Sequence, residues 1–100
     1  MYLSYKNPYA RFVKIFINGI QERRCFEADE EAGMALCAIL TPEGRVIPAD
    51  FVALGPHQEA YQGIVAEWQC GYVEIRFDTP EHRAECEKYL QLEREAANVS

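Results

Sequence analysis

The sequence predicts an α+β fold: an antiparallel sheet of about five or six strands from successive hairpins, with one C-terminal helix packed on it. Short runs of β-branched and aromatic residues alternate with Gly- and Pro-containing turns over residues 12–77. A helix-start signal opens residues 79–97. A length of 100 residues with 49% hydrophobic side chains suits one core, so residues 1–100 are expected to form a single domain. An all-β fold with a peripheral helix is the alternative.

The N-terminal segment is predicted to be an extended arm over residues 1–9. Pro8 biases the residue before it toward extended backbone. The segment also carries Tyr2, Tyr5 and Tyr9, whose amphipathic rings suit interfaces. Either the arm covers an edge of its own core, or its tyrosines bind a neighbouring subunit.

The first hairpin is predicted from Asn18 and Gly19, which separate the strand-like residues 12–17 from residues 20–26. Asn-Gly between such runs is the strongest short-range hairpin signal, because both residues tolerate the positive φ of a type I′ turn. In the register that this turn sets, Lys14 faces the like charge of Arg23 and Ile15 faces the charged Glu22. The second strand is therefore expected to be an edge or bulged strand. The register pairs Ile17 with Ile20, Ile15 with Glu22, Lys14 with Arg23 and Phe12 with Cys25.

Residues 27–33 are predicted to be an acidic connector, either a loop or one helical turn, because they are polar and end in glycine. They lack the ligand spacing of a calcium-binding EF-hand loop, which favours a solvated acidic surface. The candidate partner-binding carboxylates are Glu27, Asp29, Glu30 and Glu31.

Residues 34–40 form an uninterrupted apolar run, which predicts a central strand covered on both faces. Pro42 and Gly44 then suit a turn, with residues 45–47 returning as a short antiparallel partner in a second hairpin. Residues 49–63 contain few regular signals and are predicted to be a loop.

A third hairpin is predicted across Cys70 and Gly71, which lie between two strand-like runs. This turn would place Trp68 opposite Val73, Ala66 opposite Ile75 and Glu67 opposite Glu74.

The helix at 79–97 is predicted from Thr79, which can cap it, and from Pro80 at its first position. Its apolar stripe is narrow, so one face only is expected to pack on the sheet. The stripe consists of Cys86, Tyr89, Leu90 and Ala97.

Composition limits the partners. The 16 acidic and 10 basic residues give a formal net charge of −6, which disfavours nucleic-acid binding, although Arg11, Lys14, Arg23 and Arg24 form a local basic cluster.

The four cysteines contain no CxxC pair and follow no secretory leader, so reduced thiols are expected and no metal site is predicted. No apolar run approaches the roughly 20 residues of a membrane span.

No catalytic motif is present, and we expect no enzyme activity, no catalytic residue and no cofactor. Cys86 lies one helical turn after His82, but a cysteine on an apolar helix stripe usually packs in the core. An enzyme would need a pocket that holds His57 or His82 beside a cysteine or a carboxylate.

Several segments within residues 12–47, and a few positions near 75, resemble small proteins encoded by tailed bacteriophages. Such proteins are often structural when they lie among head and tail genes, so the resemblance implies a virion component and transfers no catalytic residue. The segments that carry the likeness are residues 16–19, 25, 27–33, 41–44 and 72–75.

The expected function is therefore that of a non-enzymatic phage structural or assembly protein, such as a head, neck or tail subunit. Its partners would be copies of itself or other phage structural proteins, and it would be found in the virion, or in the host cytoplasm before assembly. The alternative is a small acidic inhibitor that binds a host defence or regulatory protein, using residues 27–31 to mimic nucleic acid.

Overall fold

The computed structural model describes residues 1–50 and 52–98. Within them, eight strands divide between two antiparallel sheets and one α-helix follows, which confirms the α+β class. The smaller sheet has the order β3-β2-β8 and the larger has the order β1-β4-β5-β7-β6. The elements are β1 (Tyr2–Ser4), a 3₁₀ turn (Ala10–Phe12), β2 (Val13–Ile17), β3 (Ile20–Glu22), β4 (Cys25–Asp29), β5 (Met34–Ala38), β6 (Gln58–Tyr61), β7 (Ile64–Cys70), β8 (Val73–Phe77) and α1 (Pro80–Ala97).

The β2–β3 hairpin is confirmed in turn and register. Asn18 and Gly19 have φ of 52° and 81°, as a type I′ turn requires, and β3 is an edge strand as expected. The predicted pairings of Lys14 with Arg23 and of Phe12 with Cys25 are wrong, because β3 ends at Glu22 and Arg24 adopts a φ of 57° that turns the chain into the other sheet.

The predicted acidic connector is shorter than residues 27–33, because the first half of that segment belongs to β4. Ala28 is buried in the core while its neighbours on both sides are partly exposed, which is the two-residue alternation of a strand. The turn covers residues 30–33, where Asp29 Oδ1 accepts the backbone N–H groups of Glu31 and Ala32 at 3.0 Å. The central strand β5 is confirmed, and Leu36 within it is fully buried.

The second and third hairpins form differently from the predictions. Residues 45–47 contribute one isolated bridge, Leu40–Val46, instead of a strand. The predicted loop at 49–63 contains β6, which pairs with β7 across Gln62 and Gly63 with φ of 51° and 82°. Phe51, within that predicted loop, lies outside the described residues, as do residues 99–100 of the predicted domain.

Cys70 and Gly71 do not close a hairpin; they carry the chain from the larger sheet to the smaller one. β7 pairs with β5 and β6, whereas β8 pairs with β2. Gly71 N–H donates to the Gly33 carbonyl at 2.9 Å, and Asn18 Oδ1 accepts from Tyr72 N–H at 2.9 Å. A Cβ at Gly71 would lie 2.7 Å from Asn18 Nδ2. A side chain at residue 71 would therefore force the Asn18 amide to move from the turn that it contacts.

The C-terminal helix is confirmed. Thr79 Oγ1 accepts the backbone N–H of His82 at 3.1 Å, and Pro80 occupies the first turn. Cys86 is fully buried in the core between the two sheets, and α1 packs on β8. In the described part of the chain, no helix combines the length and the apolar composition that crossing a bilayer requires.

The expectation of reduced thiols is wrong for two of the four cysteines. Cys25 on β4 and Cys37 on β5 are directly opposite each other, with their Cα atoms 4.0 Å apart, and form a disulfide. Cys70 is free and exposed, and Cys86 is free and buried. The spacing of 12 residues along the chain does not reveal the cross-strand register that brings the pair together.

Candidate functional site

The outer face of the larger sheet carries a group of aromatic side chains that we call the aromatic face. Ala28, Ala35 and Cys37 belong to the core cluster between the sheets, so the residues that alternate with them point outward. Leu36, one of these, pairs with both Glu27 and Trp68 and shares their side of the sheet. The members of the aromatic face are Tyr2, Tyr5, Phe26, Tyr61 and Trp68.

Three rings of this face pack on one another across the sheet. Phe26 and Tyr61 stack with centroids 4.6 Å apart and an interplanar angle of 23°. Tyr5 meets both rings edge-on, at 6.0 and 5.9 Å. The register of β4 shifts between Cys25 and Glu27, which leaves Phe26 as an extra residue. A bulge of this kind re-aims a side chain, here toward Tyr61.

Carboxylates surround the rings. The Tyr2 hydroxyl donates to the Glu27 carboxylate, and Trp68 Nε1–H donates to Glu59 Oε2 at 3.2 Å. Burial raises the pKa of the Tyr61 hydroxyl, and the nearby Glu27 charge adds to the effect. The described strand residues that share this side by register include no lysine or arginine, so the aromatic face is acidic.

The N-terminal arm lies on its own domain, which is the first of the two arrangements considered for it. β1 pairs with β4, and Leu3 is 3% exposed within the core. Tyr2 and Tyr5 stay accessible, at 47% and 38% exposure. Tyr9 is separate from them and packs edge-on against Tyr89 at 6.0 Å.

The four candidate carboxylates do not form one surface. Glu27 joins the aromatic face, and Asp29 lies on the same side of the sheet opposite Tyr2, where its Oδ1 accepts backbone N–H groups of the following turn. Glu30 Oε2 accepts the Ile75 N–H at 3.0 Å, and its other oxygen lies 3.6 Å from Arg83. Glu30 therefore links the two sheets and the helix, while the side chain of Glu31 remains exposed.

The sequence interpretation missed Phe26, Tyr61 and Trp68 as candidate site residues. Phe26 was placed in a strand expected to be an edge or bulged strand but was not selected as a site residue, and the bulge between Cys25 and Glu27 turns its ring outward. A signal for the turn after Tyr61 was present, since Gln62 and Gly63 suit a two-residue hairpin turn.

The outer face of the smaller sheet is different, and we call it the basic face. Lys14 on β2 is directly opposite Arg76 on β8. The Arg76 guanidinium lies 3.8 Å from the centroid of Phe16, and its Nη2 is 3.2 Å from Glu74 Oε1. A shallow cavity of about 400 Å³ opens on this face. The members of the basic face are Arg11, Phe12, Lys14, Phe16 and Arg76.

Comparisons of the chain with protein-family models, curated proteins and solved structures give no match. Function is therefore inferred from these two faces.

The cysteine and histidine considered for catalysis are engaged in other contacts. Burial raises the pKa of the Cys86 thiol, and a buried protonated thiol is a poor nucleophile. His82 Nδ1 lies 2.6 Å from Asp78 Oδ1, and its ring stacks on Phe12 with centroids 3.8 Å apart. Among the described residues, no group of three His, Cys, Asp or Glu side chains is arranged to hold a metal ion.

Proposed function

We propose that this chain is a non-enzymatic binding protein that acts through protein–protein contacts, as a structural or assembly subunit of a tailed bacteriophage. The aromatic face carries the proposal. Tyr, Trp and Phe are enriched at the centres of protein interfaces, where large rings bury much area for little loss of side-chain entropy. Here five such side chains share one sheet face; Tyr2 and Tyr5 are exposed, and carboxylates bond to Tyr2 and Trp68.

The packing of the rings supports a preformed binding surface. Phe26 and Tyr61 stack, and Tyr5 holds both by its edge, so these rings are already ordered before a partner arrives. Ordering side chains beforehand reduces the entropy lost on binding. The surrounding hydroxyls, indole N–H and carboxylates provide a polar rim.

The assignment to a phage structural subunit rests on the resemblance within residues 12–47. We rank the acidic inhibitor second because nucleic-acid mimicry needs several carboxylates free on one surface. Asp29 and Glu30 are engaged inside the domain, and the exposed Glu31 carboxylate lies 3.9 Å from the N-terminal amine, so residues 29–31 offer a single largely exposed carboxylate.

The proposal is tested by incorporation into particles. The chain is removed from the phage that encodes it, then supplied in trans as wild type, as Tyr5→Ser/Tyr61→Ser, or as Tyr72→Ser. Tyr72 is 69% exposed outside the aromatic face and is the matched control. We expect mass spectrometry of purified particles to find the wild type and the control in fixed copy number, and the double variant at least tenfold depleted.

Circular dichroism and urea unfolding of the purified double variant establish that it is folded. Absence of the wild-type chain from purified particles would contradict the proposal that it is a structural subunit. Equal incorporation of the folded double variant would show that the aromatic face is not the contact surface.

A further inference from the structure

The two outer faces point in opposite directions, because the sheets pack on each other through their inner sides. The shortest dimension of the molecule is 21 Å, against 41 and 35 Å for the others. Two sheets about 10 Å apart, with a layer of side chains on each outer side, have roughly this thickness. The aromatic face and the basic face therefore lie on the two outer sides of the packed sheets.

The basic face contains an unfavourable pair that a binding partner would relieve. Lys14 and Arg76 are directly opposite on neighbouring strands, and like charges in that position destabilise a sheet. Glu74 neutralises Arg76. Asp78 also lines the cavity on this face and contacts His82. The described residues place no carboxylate within ion-pairing distance of Lys14 or Arg11, so these two side chains keep their positive charge uncompensated.

The aromatic face has the complementary charge. Glu27 and Glu59 lie among its rings, each already bonded to a hydroxyl or an indole N–H, with no cation from the described strands beside them. A carboxylate held in this way still has oxygen lone pairs for a second donor. An arginine or lysine approaching this face would meet fixed acceptors.

We propose that the aromatic face of one copy binds the basic face of a second copy, so that the chain assembles head to tail. This inference rests on the proposed function and names the partner of the same aromatic face. The contact is heterologous, so each copy keeps one face free for the next copy, and the assembly grows into a ring or a filament. The two longer dimensions of the whole molecule, 41 and 35 Å, leave room on each side for the roughly 800 Å² per partner of a standard interface.

Nucleic acid is a poorer occupant of the basic face. The net charge of −6 repels a phosphate backbone. Single-stranded binders stack bases on open aromatic rings, whereas here the Phe12 ring is covered by His82 and the Phe16 ring by Arg76. Protein carboxylates, which need no stacking surface, suit this face better.

The test uses two variants that each lose one face. Lys14→Glu/Arg76→Glu removes the basic face and keeps the aromatic one, and Tyr5→Ser/Tyr61→Ser does the reverse. Light scattering at 50 mM NaCl is expected to find a high-order wild type, two monomeric variants and, when the variants are mixed, a dimer that grows no further. Each variant should weaken self-association roughly a hundredfold. Tyr72→Ser should assemble like the wild type.

A mixture that stays monomeric, or a wild type that is monomeric at all concentrations, overturns the head-to-tail contact. Lys14→Glu alone covers the case in which the double variant does not fold, since this exposed side chain can change without disturbing the core. Binding of a labelled 20-nucleotide single strand to the wild type, lost in the Lys14→Glu variant, would overturn the assignment of a second copy to the basic face. A monomer that still enters particles through its aromatic face refutes this inference and leaves the proposed function standing.

Discussion

The aromatic and basic faces both carry rings, but they hold them differently. On the larger sheet the rings of Phe26, Tyr61 and Tyr5 contact one another. On the smaller sheet each phenylalanine lies under a cation or an imidazole, as Phe16 lies under Arg76. Where rings pack on one another, as on the aromatic face, their edges and hydroxyls remain available to a binding partner. Where a charged or imidazole group covers a ring, as on the basic face, the partner meets that group instead of the ring. The neighbours of a ring therefore decide which surface it makes.

The largest effect is expected at Leu36, which is fully buried although it points to the outer side of the larger sheet. Leu36→Ala should lower the free energy of unfolding by about 2–5 kcal/mol, as in other fully buried leucines. Phe16→Ala on the basic face should cost less, because that ring is half-buried. Urea unfolding measures both, with the exposed Leu92→Ala as control. Equal losses of unfolding free energy in the two variants would contradict the deeper burial of Leu36 relative to Phe16.

The disulfide lies on the inner side of the larger sheet, opposite the aromatic face, and its loss should have the next largest effect. Reduction of Cys25–Cys37 should lower the free energy of unfolding by about 2–3 kcal/mol, because the link constrains a short loop of the unfolded chain. The measurement is the urea midpoint with and without dithiothreitol. Cys25→Ala/Cys37→Ala is the control and should not respond to the reductant. A wild-type urea midpoint that does not change with dithiothreitol would contradict a closed disulfide.

Substitution of Arg76 is expected to have a smaller effect on the free energy of unfolding. It should remove contacts of the basic face and leave the aromatic face intact. Arg76→Ala removes the contact with Phe16 and the ion pair with Glu74, at a cost of about 0.5–1 kcal/mol. Arg76→Lys keeps the charge but not the planar group that stacks. Urea unfolding should therefore give a smaller loss for Arg76→Lys, which can keep the ion pair with Glu74, than for Arg76→Ala. Full stability of Arg76→Lys would show that charge, and not stacking, holds this face.

The smallest effect is alkaline destabilisation of the aromatic face through Tyr61. Burial and the Glu27 charge raise the pKa of its hydroxyl in the folded state. The folded chain holds this proton more tightly, so the contribution is present below the ordinary pKa of about 10 and is lost as pH rises through the raised folded pKa. Urea unfolding between pH 8 and 11 should show a shallower decline for Tyr61→Phe than for the wild type. Parallel declines would exclude Tyr61 as a source.

Local signals predicted the local parts of this fold. Asn18 and Gly19 specify a type I′ turn by their own conformations, and Thr79 with Pro80 starts a helix through contacts within one turn. Cys70 and Gly71 carry a similar signal but join two sheets, because Gly71 meets Gly33 and Asn18 from elsewhere in the chain. A window of sequence cannot distinguish a turn that reverses a strand from one that changes sheets.

The candidate site was predictable in part for the same reason. Tyr2, Tyr5 and Glu27 were selected by residue type, and the larger sheet brings them to one face. Phe26 and Tyr61 depend on a bulge and on the order of four strands, which are properties of the tertiary structure. Glu30 was expected at the surface, yet its partners Ile75 and Arg83 lie far along the chain.

The position of β2 between β3 and β8 also determines the order in which the strands of the smaller sheet can pair during translation. β3 follows β2 after a two-residue turn, whereas β8 is translated only after all the intervening strands. Chains emerge at roughly 5–20 residues per second, so Ile15 and Ile17 wait several seconds for Ile75 and Val73. The smaller sheet is the last to close on the ribosome, and its open apolar edge is the segment of the nascent chain most exposed to misassociation.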